Sequence, residues 1–298
     1  ASTTASGSGC IIALDPTDSN TLLLNGNVSV SSSCGVFVNS SSSQALNING
    51  NSGYLNAGTA GAGIGVVGPG TPGSGWSPSG GPYCDGSSGF CPQPVNIPSF
   101  TDPLENLAEP VPTGCDHNTT VKIQGSGSLM PGTYCGGISL TGNGTVTFAA
   151  GIYQLCGGGM SSSGGEILTG TDVTIYNTGN VKGVCPGKNY APVSITGGGG
   201  SNLSAPTSGT YAGVLFFQDR AYQSTKNVDA SNINGTAGAT FTGAVYFPGT
   251  DLTYSGNPSV DVSSLIIAYQ ITINGNTSIN DNLVTGGGSP IHTAALAE

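Results

Sequence analysis

Charge is what this chain has least of: only 7% of its 298 residues are Asp, Glu, Lys or Arg. Five basic residues stand against fifteen acidic ones, for a net charge of −10, and Arg220 is the only arginine. A nucleic-acid binder needs a basic footprint, so that class is excluded. An anionic lipid surface would repel the chain as well. No apolar run approaches the ~18 residues that a membrane-spanning helix needs, so no bilayer span is expected in this sequence. Histidine is nearly absent, with His117 and His292 alone. None of the eight cysteines stands in a CxxC or CxxH spacing, so no metal cluster and no cofactor are expected.

Apolar residues are also sparse, at 36%, while glycine is abundant, at 51 residues. A helical protein is not built this way. A charged disordered chain is excluded too, because the apolar residues recur periodically. The recurrence is clearest from Pro131 to Tyr176. Gly132-Thr133-Tyr134 returns as Gly151-Ile152-Tyr153, and Cys135-Gly136-Gly137 returns as Cys156-Gly157-Gly158. The Gly142 turn returns near Gly164, and Thr145–Phe148 returns as Ile167-Leu168-Thr169. A period of roughly 20 in short β-rich runs punctuated by glycine marks one coil stacked on another. Alternation such as Ile138-x-Leu140 and Val146-x-Phe148 sends every second side chain to one face. A single coil cannot bury that face alone and needs neighbours above and below. The alternative is an antiparallel sandwich, since Asn-Gly also builds hairpins; the period exceeds the 8–12 residues usual for sandwich strands.

The fold expected is therefore all-β: one right-handed parallel β-solenoid over residues 1–298, of roughly ten coils. Leu22–Val30 and Leu46–Asn51 are two early coils. Val193–Thr196, Gly213–Gln218, Gly243–Phe247, Leu252–Ser255, Leu265–Ala268 and Gln270–Asn274 are later strands. The unbroken apolarity of Val214–Phe217, Ala244–Phe247 and Leu265–Ile267 predicts burial on both sides. Residues 57–114 hold ten of the 18 prolines and are expected to form a lateral flap, because proline cannot sit in stacked central strands. A flap outside the stack should be dispensable for folding. One short helix is predicted in it at Pro103–Ala108, capped by Asp102 and ended by Pro110.

An even cysteine count without metal spacing points to disulfides in an oxidising compartment. Sequential pairing is simplest: Cys10–Cys34, Cys84–Cys91, Cys115–Cys135 and Cys156–Cys185. Spacing alone leaves the connectivity open. The segments CIIALDP, CGVFVNSSSSQAL, GTYCGGISLTGNGTVTF and APTSGTYAGVLFFQDR, with the terminal SGN and NGN coils, resemble the C-terminal region of TadG-like proteins. These accompany bacterial tight-adherence (Flp-type) pilus loci. The resemblance implies a bacterial-envelope, cell-surface or extracellular location and a role in adhesion or pilus assembly. It also implies an N-terminal hydrophobic helix ahead of this region, which fits a processed ectodomain.

No catalytic residues are nominated. Polysaccharide lyases and hydrolases on parallel β-helices need clustered or paired carboxylates, whereas Asp172, Asp219, Asp229, Asp251, Asp261 and Asp281 are scattered. Arg220 beside Asp219 reads as a structural ion pair at a solenoid corner. Asp116-His117 follows a cysteine that pins the chain. Of Thr-x-Thr ladders that would bind ice, Thr145-Val146-Thr147 alone fits. The function expected is thus a non-enzymatic adhesion or fibre-assembly protein, with other envelope proteins or surface glycans as partners. The alternative is a carbohydrate-binding or polysaccharide-degrading β-helix. Self-association, head to tail, is expected from two weakly capped tails, ASTTASGSG and GGGSPIHTAALAE.

Overall fold

The computed structural model describes residues 9–281, apart from 33, 51–52, 58–62, 70–75, 78–88, 180, 182–183, 186–188, 198–199, 224–228, 237–238, 258–264 and 276–277. It is all-β, with every described strand pairing parallel, as a β-solenoid requires. Successive coils place their strands on three faces, the described part of the coil of Ala244–Phe247 and Leu252–Asn257 reaching two of them. The third face is divided into a five-stranded and a four-stranded sheet. The other two are ten-stranded, so nine steps of about 4.8 Å give a stack roughly 43 Å long.

The alternation read from the sequence sets which side chains enter the stack. Leu22, Leu24, Leu46, Ile48, Ile138, Leu140, Ile271 and Ile273 point inward and are buried. Tyr153, Phe148, Phe216, Phe241 and Phe247 fill the wider parts of the interior. Each such side chain removed from water stabilises the fold by about 1.5–3 kcal/mol. Coil-to-coil turns use stacked glycines. Gly142 pairs with Gly164 in the ladder, and a Cβ on Gly164 would lie 2.4 Å from the Gly142 carbonyl oxygen.

The order of the coils is not the order of the chain. One ten-stranded sheet runs Val121–Gln124, Ile138–Gly142, Met160–Gly164, Val193–Gly197, Ser231–Thr236, Leu252–Asn257, Ile271–Gly275, and then Leu22–Asn25, Leu46–Asn49 and Trp76–Ser77. The N-terminal coils therefore stack on the C-terminal ones. Leu22 pairs with Ile271 and Leu24 with Ile273 on one face. Ile11 pairs with Ile266 on a second face, and Ser29 with Ser278 on the third. The buried Asp15 helps to fasten this joint, with Gln270 Nε2 donating to its Oδ2 at 2.6 Å.

This order corrects the premise for head-to-tail stacking. The first and last described strands, Gly9–Ala13 and Ser278–Asp281, lie inside the stack and at neither of its ends. One end is the coil of Val121–Gln124, Gly127–Leu129 and Gly132–Tyr134. The other is built by Trp76–Ser77, Gly89–Cys91 and Val95–Asn96.

The segment 57–114 divides in two. Ile64–Val66, Trp76–Ser77, Gly89–Cys91 and Val95–Asn96 are strands of the stack, which the proline count had concealed. Of the described residues, 97–114 run laterally, as a strap along the outer side of the second ten-stranded sheet. That sheet contains Gly35–Val38, Gly9–Ala13, Ile266–Ala268, Ala244–Phe247 and Val214–Gln218 in spatial order. Its outward residues Ile12, Phe37, Phe217, Tyr246 and Ile267 are buried with Ile97 and Leu104 of the strap, and Phe100 and Leu107 pack against them. The sheet is thus covered on both sides. Deleting 58–112 would remove coil strands and this cover together, so dispensability does not follow.

The predicted helix at Pro103–Ala108 is instead a pair of turns, with Glu105 N–H donating to Asp102 O and Leu107 N–H to Leu104 O. Asp102 does cap the turn, accepting from Leu104 N–H at 2.9 Å. Flanking prolines leave too few residues for continued i→i−4 bonding.

Candidate functional site

The face containing Leu22–Asn25 and Leu252–Asn257 carries nothing across its outside comparable to the strap among the described residues. Its outward positions form two rows in strict register. One runs Lys122, Ser139, Ser161, Ser194, Asn232, Thr253, Thr272, Leu23, Asn47. The other runs Gln124, Thr141, Ser163, Thr196, Asn234, Ser255, Asn274, Asn25, Asn49. Residues repeat at about 4.8 Å along each row, and the rows lie about 6.6 Å apart. Every position is half-buried or exposed. Lys122 carries the one charge, and Leu23 is the one apolar side chain. Asparagines bridge coils within the rows: Asn25 Nδ2 donates to Asn274 Oδ1 at 3.2 Å, and Asn49 Nδ2 to Asn25 Oδ1 at 3.2 Å. Those bonds hold the amides in a fixed array. The array mixes Ser, Thr and Asn, so a search for Thr-x-Thr alone overlooks it; period and alternation together would find it. Thr145 and Thr147 stand elsewhere, on the third face, where Thr147 meets Thr169 at 3.4 Å.

The strap side holds an ion-pair cluster around Arg220. Arg220 forms its ion pair with Glu109 at 2.9 Å rather than with Asp219. Asp219 accepts from Thr178 Oγ1 at 2.6 Å and from Ala221 N–H at 2.8 Å. Arg220 Nη2 also donates to the Leu104 and Leu107 carbonyls. Its guanidinium lies 5.2 Å from the Phe217 ring centroid and 5.7 Å from that of Tyr246. Tyr246 donates its hydroxyl to Asp102 Oδ2. Burial raises the Asp102 carboxyl above its ordinary range, against the lowering effect of that bond, the Leu104 amide and Arg220. This cluster anchors the strap. Adjacency in sequence misled here because the long arginine side chain reaches over the outer sheet face, and its partner stands 111 residues earlier.

Asp15 and Asp18 share Gln270 Nε2, at 2.6 and 3.2 Å, whereas the other aspartates singled out in the sequence stand in separate surroundings. Asp172 is exposed in a turn at φ 58°, Asp229 accepts from Tyr222 OH at 2.6 Å, and Asp251 is buried. The side chains of Asp261 and Asp281, and all of His292, lie outside the described residues. Asp116 Oδ2 accepts from Thr133 N–H at 2.7 Å, while His117 stacks on Tyr134 at 4.5 Å. Together they cover one edge of the first coil. Among the described residues, the one group of three or more His, Cys, Asp or Glu ligand atoms lying close together is Cys115, Cys135 and Cys185.

Disulfides join Cys10 to Cys34, Cys115 to Cys135 and Cys156 to Cys185. Cys91 is also disulfide-bonded; Cys84 lies outside the described residues. These bonds belong to an oxidising environment. No described helix is long and apolar enough to cross a membrane.

Buried tyrosines make the protein sensitive to alkali. Tyr190, which accepts from Gln218 Nε2 at 3.0 Å and stacks on Tyr222 at 3.7 Å, is pushed up to about 12 by burial. Burial also raises Tyr153, Tyr176 and Tyr246. In the unfolded chain they ionise near 10. Their contribution is therefore complete below pH 10 and is lost as pH rises through the raised values, the Tyr190 share at about 12 and the others above it. A pH titration should show tyrosinate absorbance and loss of β circular dichroism rising together above pH 10. Ionisation of most tyrosines with the β signal unchanged would refute this.

No protein-family model, curated protein or solved structure matches the chain.

Proposed function

We propose that this protein is a non-enzymatic, extracellular or cell-surface adhesion protein whose polar ladder binds extended, neutral glycans. The observation that carries the reading is the pair of registered Ser/Thr/Asn rows running the length of the stack. An array of uncharged donors and acceptors at a repeating interval complements a polymer that presents hydroxyls at a repeating interval. Individual contacts of about 0.5–1.5 kcal/mol would then add along the face through multivalency. Near-absence of charge on the face favours neutral ligands over anionic ones. The disulfides and the resemblance of the sequence to tight-adherence envelope proteins support an external location and an adhesive role.

The test is a binding assay on insoluble neutral polysaccharides. Retention should change little with salt, because ion pairing contributes little. Thr196→Lys and Ser163→Lys, both at outward positions, should weaken retention at least tenfold while leaving circular dichroism unchanged. Failure to bind any neutral polysaccharide, or equal binding by the lysine variants, would reject the proposal.

A further inference from the structure

The corner between the strapped sheet and the polar sheet gathers four sulfurs in the first coils of the stack. Cys115 precedes Val121–Gln124, Cys135 follows Gly132–Tyr134, Cys156 ends Gly151–Cys156, and Cys185 comes from the connection after Val173–Thr178. The Sγ atoms of Cys115, Cys135 and Cys185 all lie within 4.8 Å of one another. Cys156 is bonded to Cys185 and packs with it and Cys135 in one buried cluster, its sulfur outside that 4.8 Å group. Cys135, Cys156 and Cys185 are buried, with Cys115 partly so.

We propose that, when its two disulfides are reduced, this corner becomes a four-thiolate site for one tetrahedral, zinc-type cation. Zinc–sulfur bonds of about 2.3 Å place tetrahedral sulfurs roughly 3.8 Å apart, a scale close to the 4.8 Å within which three of the four sulfurs already lie. Backbone hydrogen bonds, beside the S–S bonds, position Cys135, Cys156 and Cys185. Tyr134 pairs with Leu155 in the ladder and Cys156 with Thr178. Cys135 N–H donates to His117 O at 2.8 Å, and Cys185 N–H to Val181 O at 2.9 Å. Four ligands would saturate the cation in a largely water-excluded pocket, which is the arrangement of a structural rather than a catalytic site. The sequence hides it because the ligands come from successive coils, about one period apart, and not from a short motif.

The chemistry balances. Each disulfide consumes one phosphine and one water and yields two thiols and one phosphine oxide. Binding of a divalent cation by the four thiols then releases four protons. Reoxidation by a disulfide-bearing oxidant would transfer four electrons, restore both bonds and expel the cation. One corner would thus be cross-linked in either redox state.

The experiment is an anaerobic cobalt(II) titration of phosphine-reduced, reductant-free protein. We expect sulfur-to-cobalt charge-transfer absorption and tetrahedral d–d bands saturating at one equivalent per chain, with displacement by zinc. Cys135→Ser and Cys185→Ser should each weaken binding at least 100-fold. The Cys10→Ser/Cys34→Ser double variant should titrate like the wild type. Octahedral cobalt without charge transfer, or an unchanged titration in Cys135→Ser, would overturn the proposal. Circular dichroism covers the case in which reduction unfolds the chain. One equivalent of cobalt must then restore the β signal, and failure to do so also overturns it.

Discussion

Replacing Arg220 by alanine is expected to release the strap from the outer sheet while leaving the coil stack folded. The side chain holds Glu109 and two turn carbonyls and lies over Phe217 and Tyr246. Breaking a fully buried pair costs about 3–5 kcal/mol. Arg220 and Glu109 retain 20% and 32% side-chain exposure, so solvent moderates the loss to about 2–3 kcal/mol. Hydrogen exchange should lose protection across Asp102–Glu109, and limited proteolysis should cut there first. Arg220→Lys keeps the charge but lacks the planar fork that serves several acceptors at once, so an intermediate loss is expected. Strap protection unchanged in Arg220→Ala would show that Ile97, Phe100, Leu104 and Leu107 hold the strap by burial alone.

The second large effect is expected at the joint between the two ends of the chain. Gly26 has φ +104°, and a Cβ there would lie 2.9 Å from the Gly275 carbonyl oxygen. Valine would meet both a disfavoured backbone conformation and a backbone atom of the facing coil, which cannot move without disturbing the ladder. We expect Gly26→Val to destabilise by about 3–4 kcal/mol, at the upper end of strain and overpacking costs. The N-terminal coils should loosen first, giving two unfolding transitions in place of one. Gly200→Val is the control: its φ is +81° but nothing lies within 4 Å of the added Cβ, so it carries the conformational cost alone. Equal destabilisation by the two variants would place the effect in the backbone conformation and remove the joint from the explanation.

Much of the candidate binding face was legible in residue order. The alternation that buries Ile138 and Leu140 necessarily turns Ser139 and Thr141 outward, and the period then aligns them with Ser161 and Ser163. The strap was half legible. The apolar run Val214–Phe217 required a cover, and residues 97–114 supply it, but Ile64–Val66 and Gly89–Cys91 were hidden among prolines and glycines. Glu109 could not be matched to Arg220, because a side chain that crosses a sheet face leaves no periodic trace.

Local pattern by itself determined the coil: period, alternation, glycine turns and the inward and outward sets all follow from side-chain size and backbone freedom over some 20 residues. The tertiary structure alone decided which coil follows which. Leu22-Leu23-Leu24-Asn25 pairs equally well in register with Leu46–Asn49 on one side and Ile271–Asn274 on the other. Each coil edge presents the same alternation and the same backbone donors and acceptors, so near-equivalent repeats accept one another regardless of distance along the chain. Nonrepeating groups distinguish this order: the strap and the Asp15–Gln270 bond. Their energies depend on particular side chains meeting across the stack, and such meetings exist only once the coils are in place.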